Sequence, residues 1–269
     1  MIKNTISKNQ LKFVNSLKQK KNREEHNLFI AEGTKIISEL LQSRIKIKQL
    51  FATKDFFSQY EEQGEMEIFI KNSIDCFEIK TNELERLSSQ VTASNALAVC
   101  EIPEYNLNKF ELKDKLTLAL DTINDPGNLG TIIRIADWFG IETILCSNNT
   151  VDAYNPKVIQ ATMGSIARIS LHYINLIDFL EELKADKINL PVYGALMEGD
   201  PIYNTQLTKS GLIIIGNESK GISTDLRPFI THDLNIPSFS HFKSSEGKPE
   251  SLNAAIACSI ICSEFRRRS

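Results

Sequence analysis

Apolar positions recur along this chain in two alternating series. In the first, Leu11, Val14 and Leu17 share one helical face behind Ser7, a side chain suited to cap the helix. "NLFIAEG" predicts a short strand ending at Gly33, and "TKIISELLQS" a helix capped by Thr34. "IKQLFAT" reads as a strand and "DFFSQYEEQ" as a short helix. "EMEIFI" and "DCFEI" read as further strands, "TNELERLSSQ" as a helix and "NALAVCEI" as a strand. The series predicts a small α/β unit over residues 1–102. The stretch "PEYNLNKFELKD", residues 103–114, is polar and without pattern, and is assigned as a linker.

The second series runs from 115 to 269. "KLTLALD" is an apolar run ending at Asp121, followed by the turn-rich "TINDPGNLG". Ile132, Ile133, Ala136 and Phe139 then recur at helical spacing. "ETILCS", "IARISLHYI", "PVYGALM" and "LIIIGNE" read as strands, and "LIDFLEELKAD" as an amphipathic helix. "NPKVIQATMGS" reads as a helix with Pro156 in its first turn, and a last helix spans roughly Ser251 to Arg266. Strands alternating with helices imply a mainly parallel sheet covered on both faces.

Composition narrows the classes. A hydrophobic content of 42% and a charged content of 24% are those of an ordinary globular protein. No run of about 20 apolar residues is present, so no membrane partner is expected. The polar N-terminus lacks the apolar core of an export signal. Five cysteines, an odd number in apolar surroundings, fit reduced buried thiols in the cytoplasm. Cys258 and Cys262 lie four apart on one helix face with no ligand partners nearby, and no metal site is expected.

The net charge is −3, yet its distribution is uneven. Up to Arg23 the chain holds Lys3, Lys8, Lys12, Lys18, Lys20, Lys21 and no acid, and it ends in Arg266, Arg267 and Arg268 before a serine. Basic segments on a near-neutral protein fit either a nucleic-acid footprint or a solvated helix face and charged tail.

Three stretches could carry chemistry. "DPGNLG" lies between a strand and a helix, where open α/β sheets bind ligands, and Arg134 follows one turn into that helix. The alternative is a plain turn at Asp125-Pro126-Gly127 with Arg134 on the surface. No GxGxxG or P-loop pattern occurs, which disfavours a standard dinucleotide or triphosphate site. "LIIIGNESKGIS" ends a strand at Gly216 and places Glu218 in the following loop before Gly221. In the third stretch Ile236 and Pro237 end a strand, and Ser251-Leu252-Asn253 opens the last helix with Ser251 as its cap.

In order, these stretches resemble the three motifs of the SpoU (TrmH-type) RNA ribose 2′-O-methyltransferases of the SPOUT superfamily. The first is Asn128, Gly130 and Arg134; the second Gly216, Glu218 and Gly221; the third Ile236, Pro237, Ser251, Leu252 and Asn253. "KFVNSLKQKKNREEHNLFIAEGTKIISELL" is similar to the family's N-terminal substrate-binding domain, a ribosomal-protein-like α/β/α sandwich. The resemblance implies a SPOUT domain with a deep trefoil knot, a homodimer with an active site completed across its interface, and S-adenosyl-L-methionine as cofactor. It implies cofactor contacts at Leu196, Gly216, Ile236 and Leu252.

It also implies 2′-O-methylation of a ribose in structured RNA, ribosomal RNA being favoured over transfer RNA. Asn128 and Asn253 would orient ribose and phosphate, Glu218 would hold Arg134 or loop amides, and Ser251 would cap the helix and touch substrate or cofactor. Arg134 would activate the 2′-hydroxyl, as a perturbed base or through an adjacent phosphate, because arginine is normally always protonated. Lys8, Lys12, Lys20, Lys21 and Arg23 would grip RNA backbone. One departure is the long insertion of residues 238–250, with His241, Lys243 and Lys248, between Pro237 and Ser251. The rival reading is a non-catalytic RNA-binding or ribosome-associated protein that keeps the fold.

Overall fold

The computed structural model describes residues 2–3, 6–239 and 251–268. The His241, Lys243 and Lys248 part of the insertion lies outside the described residues. In chain order the first series folds as α1 (Lys8–Ser16), α2 (Lys20–His26), β1 (Leu28–Glu32), α3 (Thr34–Leu41), β2 (Ile47–Ala52), α4 (Lys54–Glu62), α5 (Glu67–Lys71), β3 (Asp75–Glu78), α6 (Thr81–Leu87) and β4 (Ala96–Glu101). The second folds as β5 (Leu116–Leu120), α7 (Pro126–Trp138), β6 (Thr143–Ser147), α8 (Pro156–Thr162), β7 (Ser170–Ile174), α9 (Leu176–Ala185), β8 (Val192–Pro201), β9 (Gly211–Ile215), β10 (His232–Asn235) and α10 (Ala254–Arg267).

Two compact units result, one of residues up to 104 with 152–168, the other of 105–151 with the chain from 169 onward. The first holds a four-stranded sheet of order β1-β4-β2-β3, in which β4 runs antiparallel to both neighbours and β2 parallel to β3. Its core joins Val14 of α1 and Leu17 just past its end to Ile30, Phe51, Phe77 and Leu97 of the sheet. The start of α1 is fixed as expected: Ser7 accepts from the Gln10 backbone N–H, and Gln10 reaches back to the Ser7 N–H.

Two local expectations for this unit change. "EMEIFI" is mostly the helix α5 and not a strand. Its apparent alternation is misleading, because only Phe69 is buried while Ile70 points to solvent. Phe69 packs on Tyr60 and Phe57 of α4, and Glu67 pairs with Lys71 one turn on. Thr34 is the first residue of α3 and not its cap; Gly33, at φ +109°, stands at the cap position without a side chain to accept from the first-turn N–H groups.

Arg23 requires a larger correction. It is 2% exposed, so it does not face solvent as an RNA contact would. Its guanidinium donates to Asp152 and to the carbonyls of Leu17 and Lys18. A guanidinium is tolerated there because its donors are taken up by a carboxylate and backbone oxygens. It ties the α1–α2 turn to the start of the segment that carries α8. Tyr154 of that segment packs its ring on Phe29 of β1.

The second unit holds six parallel strands in the order β10-β8-β9-β5-β6-β7. The strands β5 and β9 are fully buried, which explains their unbroken apolar runs. From β5 the chain moves outward through β6 and β7, then fills the other side with β8, β9 and β10. The order therefore reverses between β5 and β9, and the carboxyl ends of those two strands open the crevice where α/β sheets bind ligands. The polar 103–114 stretch contains a 3-10 turn at Lys109–Asp114, with Leu112 buried beneath it.

The terminal arginines also have structural partners. Arg266 donates to the carbonyls of Phe139 and Gly140 at the end of α7. Arg268 donates to the carbonyls of Ile202, Tyr203 and Thr205, and Arg267 forks onto Glu264. The Arg266 and Arg268 bonds tie the end of α10 to the Phe139–Gly140 and Ile202–Thr205 stretches of the same unit instead of leaving a charged tail.

Candidate functional site

The turn after β9 is built by its glycines. A Cβ on Gly216 would lie 2.3 Å from the Gly221 carbonyl carbon, so no side chain fits there. Gly221 sits at φ +69°, and the N–H and carbonyl groups of Asn217 and Gly221 bond to each other in both directions. Asn217 stiffens the turn from within: its Oδ1 accepts from the Ser219 and Lys220 backbones, while its amide donates to the Thr122 carbonyl and to Glu218. Asp121, at the end of β5, accepts from the Ser223 N–H and holds the far side.

The turn after β5 is already helix. Pro126 is the first residue of α7, and Asp125 caps it by accepting from the Asn128 N–H at 2.8 Å. The plain turn weighed from sequence is therefore not formed. Asn128 lies on the first turn and donates its side-chain amide to Glu218 at 2.7 Å. Similarly, α10 begins at Ala254, with Asn253 as its cap and not Ser251. Asn253 Oδ1 accepts from the backbones of Ala255 and Ile256, and its amide donates to Asn128 Oδ1 at 2.8 Å.

The turn after β9 and the starts of α7 and α10 thus meet in one chain of polar contacts. A carboxylate only accepts, so Glu218 compels Asn128 to present its NH2 inward and its carbonyl outward. That carbonyl in turn receives Asn253. Each of the two asparagines keeps one further N–H, free to meet an oxygen of a bound ligand.

Beside this chain lies a cleft of about 750 Å³, within the size range of cofactor sites. Leu196 of β8, Gly216, Ile236 and Leu252 all line it, as do Glu218 and Ser251. Its walls mix apolar side chains with the exposed backbone of the Gly216 turn, which suits a ligand with a flat apolar ring and polar edges. Arg134 stands elsewhere. It is exposed on α7, six residues past Asn128 and so well round the helix from it, outside the cleft lining. Lys8, Lys12, Lys20 and Lys21 are exposed on the first unit. Asn217 and Asp121 escaped the sequence reading; the asparagine between Gly216 and Glu218 was the available signal.

The family model described as the SpoU rRNA Methylase family matches residues 115–263, more than half of the chain. The chain belongs to this family. A second model, the MRM3-like substrate binding domain, matches residues 8–98. A Bacillus subtilis relative named 23S rRNA (guanosine(2553)-2′-O)-methyltransferase RlmP is 30% identical over 97% of each chain. Among solved structures, a protein of the TrmH family of RNA methyltransferases from Porphyromonas gingivalis is 33% identical, with a TM-score of 0.83 over 98% of this chain and all of that one. An AdoMet-bound rRNA methyltransferase from Sinorhizobium meliloti is 26% identical, with a TM-score of 0.84 over 99% of this chain and 98% of that one.

As a SpoU-family fold, the second unit explains why its motif residues lie so far apart in sequence. They occupy the carboxyl ends of β5, β9 and β10 and the start of α10, which the parallel sheet brings to one edge. Among the described residues no cluster of His, Cys, Asp or Glu is placed to hold a metal ion, and no helix is long and apolar enough to cross a membrane.

Proposed function

We propose that this protein methylates the 2′-hydroxyl of a ribose in ribosomal RNA, with S-adenosylmethionine as methyl donor. The observation that carries the reading is the Asn253–Asn128–Glu218 chain of hydrogen bonds at the edge of the 750 Å³ cleft. The cleft fits the cofactor: Leu196, Ile236 and Leu252 offer apolar walls to an adenine ring, and the backbone around Gly216 offers hydrogen bonds to its edge. When bound, the cofactor supplies a methyl group already activated by its positive sulfur.

The chain's own residues supply position and charge. The spare N–H groups of Asn128 and Asn253 hold ribose or phosphate oxygens in line with the methyl. Glu218 and Asn217 keep those amides facing the right way. Ser251 stands at the cleft wall, within the segment that leads into α10. Arg134 places a permanent positive charge against the substrate, which holds a phosphate and favours loss of the hydroxyl proton.

Arg134 lies outside the cleft lining of its own chain, which supports a homodimer in which it serves the partner's cleft. The exposed face of α7 and α10 fits such an interface. These helices pack together and leave Trp138 85% and Ile256 53% exposed. The reading includes a trefoil knot formed as the chain returns into α10. It places the protein in the cytoplasm, where five buried free thiols remain reduced. Lys8, Lys12, Lys20 and Lys21 lead RNA onto a substrate-binding domain of residues 1–102, which residues 103–114 join to the methyltransferase domain.

The test is Arg134→Ala. Methyl transfer to ribosomal RNA is lost, while calorimetry finds S-adenosylmethionine bound within a few-fold of the original affinity. Undiminished transfer in this variant contradicts the mechanism.

A further inference from the structure

The first unit contains a second, smaller cavity of about 200 Å³, below the roughly 300–1,000 Å³ of sites for drug-sized ligands and on the scale of one flat ring system. Ile30 of β1 and Pro156 of α8 supply its apolar surfaces. Its polar groups are Glu32 at the end of β1, Gln90 after α6, and Lys157 and Gln160 on α8.

Their hydrogen bonds fix what the cavity offers. Glu32 is 5% exposed. One of its oxygens accepts from the Ser88 hydroxyl at 2.6 Å and the other from the Ser89 N–H at 2.7 Å. Each carboxylate oxygen can accept again. The Gln90 side chain donates to Gln160 Oε1 at 2.9 Å, so Gln90 retains a free carbonyl and Gln160 a free NH2. Lys18 anchors the same loop by donating to the Ser88 carbonyl. One residue past Gln90, Val91 is fully exposed to solvent.

We propose that this cavity receives one unpaired guanine base of the RNA substrate. Its walls present two acceptors, Glu32 and Gln90 Oε1, beside one donor, Gln160 Nε2. Guanine alone among the four bases presents two adjacent donors, N1–H and N2–H2, beside the O6 acceptor. The other bases have a single donor group on that edge and would leave at least one of the two acceptors unmatched. Proteins that read RNA sequence take splayed-out bases in this manner, by edge hydrogen bonds and apolar contact on the ring. Lys157, exposed at the mouth, is placed to meet the attached phosphate. The proposal rests on the reading of the protein as an RNA methyltransferase and adds a base-selective contact outside the methyl-transfer cleft.

The experiment uses the full-length chain, labelled with 15N, and titrates it with guanosine 5′-monophosphate and with its adenosine, cytidine and uridine counterparts. The side-chain amide signals of Gln90 and Gln160 should move with the guanosine nucleotide, at least about tenfold more tightly than with the other three. Gln160→Ala and Glu32→Gln should each abolish the response. Glu32→Gln can loosen the 88–90 loop, whereas Gln160 sits half-buried on a helix and its truncation leaves the fold intact. Equal response to all four nucleotides, no response at millimolar concentration, or a response that survives Gln160→Ala overturns the proposal. S-adenosylmethionine binding, followed in parallel by calorimetry, should be unchanged in both variants. Its absence in the unmodified protein would sink the methyltransferase reading instead.

Discussion

Asn253 donates its side-chain amide to Asn128 Oδ1 at 2.8 Å, joining residues 125 positions apart in the chain. The same side chain caps α10, so one residue sets both where the last helix begins and how Asn128 is turned. Asn253→Ala therefore has two separable costs. Loss of the cap lowers stability by about 0.5–2 kcal/mol, read from urea unfolding. Loss of the amide contact lowers methyl transfer by roughly tenfold or more at saturating substrate. Asn253→Ser restores most of the stability and little of the activity. Recovery of both by serine would mean that the residue acts only as a cap.

Arg23 and Asp152 give a stability prediction independent of catalysis. Removing one partner of a buried ion pair strands the other, at a cost of about 3–5 kcal/mol. Arg23→Met should therefore lower the urea midpoint sharply. The double variant Arg23→Met with Asp152→Asn should recover part of the loss. A neutral effect of Arg23→Met would show that the guanidinium is not the pin between the α1–α2 turn and the α8 segment.

His172 on β7 lies half-buried beside the Tyr105 ring, and burial lowers its pKa below the ordinary 6.5. The unfolded chain then takes up the proton first as pH falls. The contribution to stability is full above pH 6.5 and is lost as pH drops through the folded value. Unfolding midpoints measured across this range should decline more steeply for the native protein than for His172→Gln. Identical slopes would assign the acid sensitivity to other groups.

The thiols should be inert in the folded state. All five cysteines are free and buried. Burial pushes Cys76 up to about 11 and raises Cys100 and Cys146 further, while Cys258 is raised by its contact with Cys262 as well as by burial. These four form few thiolates, and burial keeps reagents from all five. A colorimetric thiol reagent at mildly alkaline pH should react with none of them until denaturant is added. Prompt native-state reaction of even one would contradict the packing.

Most of the fold was legible because its periodicities are strong. The buried runs of β5 and β9 and the apolar face of α1 leave little choice of element. What escaped depends on single side chains and long-range packing. "EMEIFI" alternates like a strand, yet Phe69 finds its partners on the preceding helix. Ser251 is as good a cap by type as Asn253, and only the contact with Asn128 singles out the latter. A basic run suggested that Arg23 faces RNA, but a carboxylate 129 positions away draws it inside. The order of the three motifs was readable; their meeting at the ends of β5, β9 and β10 required the strand order. Asn217 was visible between two motif residues, but its grip on Thr122 and Glu218 was not.

Where the methyl group lands decides the function most directly. Ribosomal RNA from cells lacking this protein would be incubated with it and isotopically methyl-labelled S-adenosylmethionine, then digested to nucleosides and resolved by mass spectrometry. Label is expected in one ribose-methylated nucleoside, resistant to base release and lost with Arg134→Ala. Label on a base, or no label in any ribosomal RNA, would contradict it.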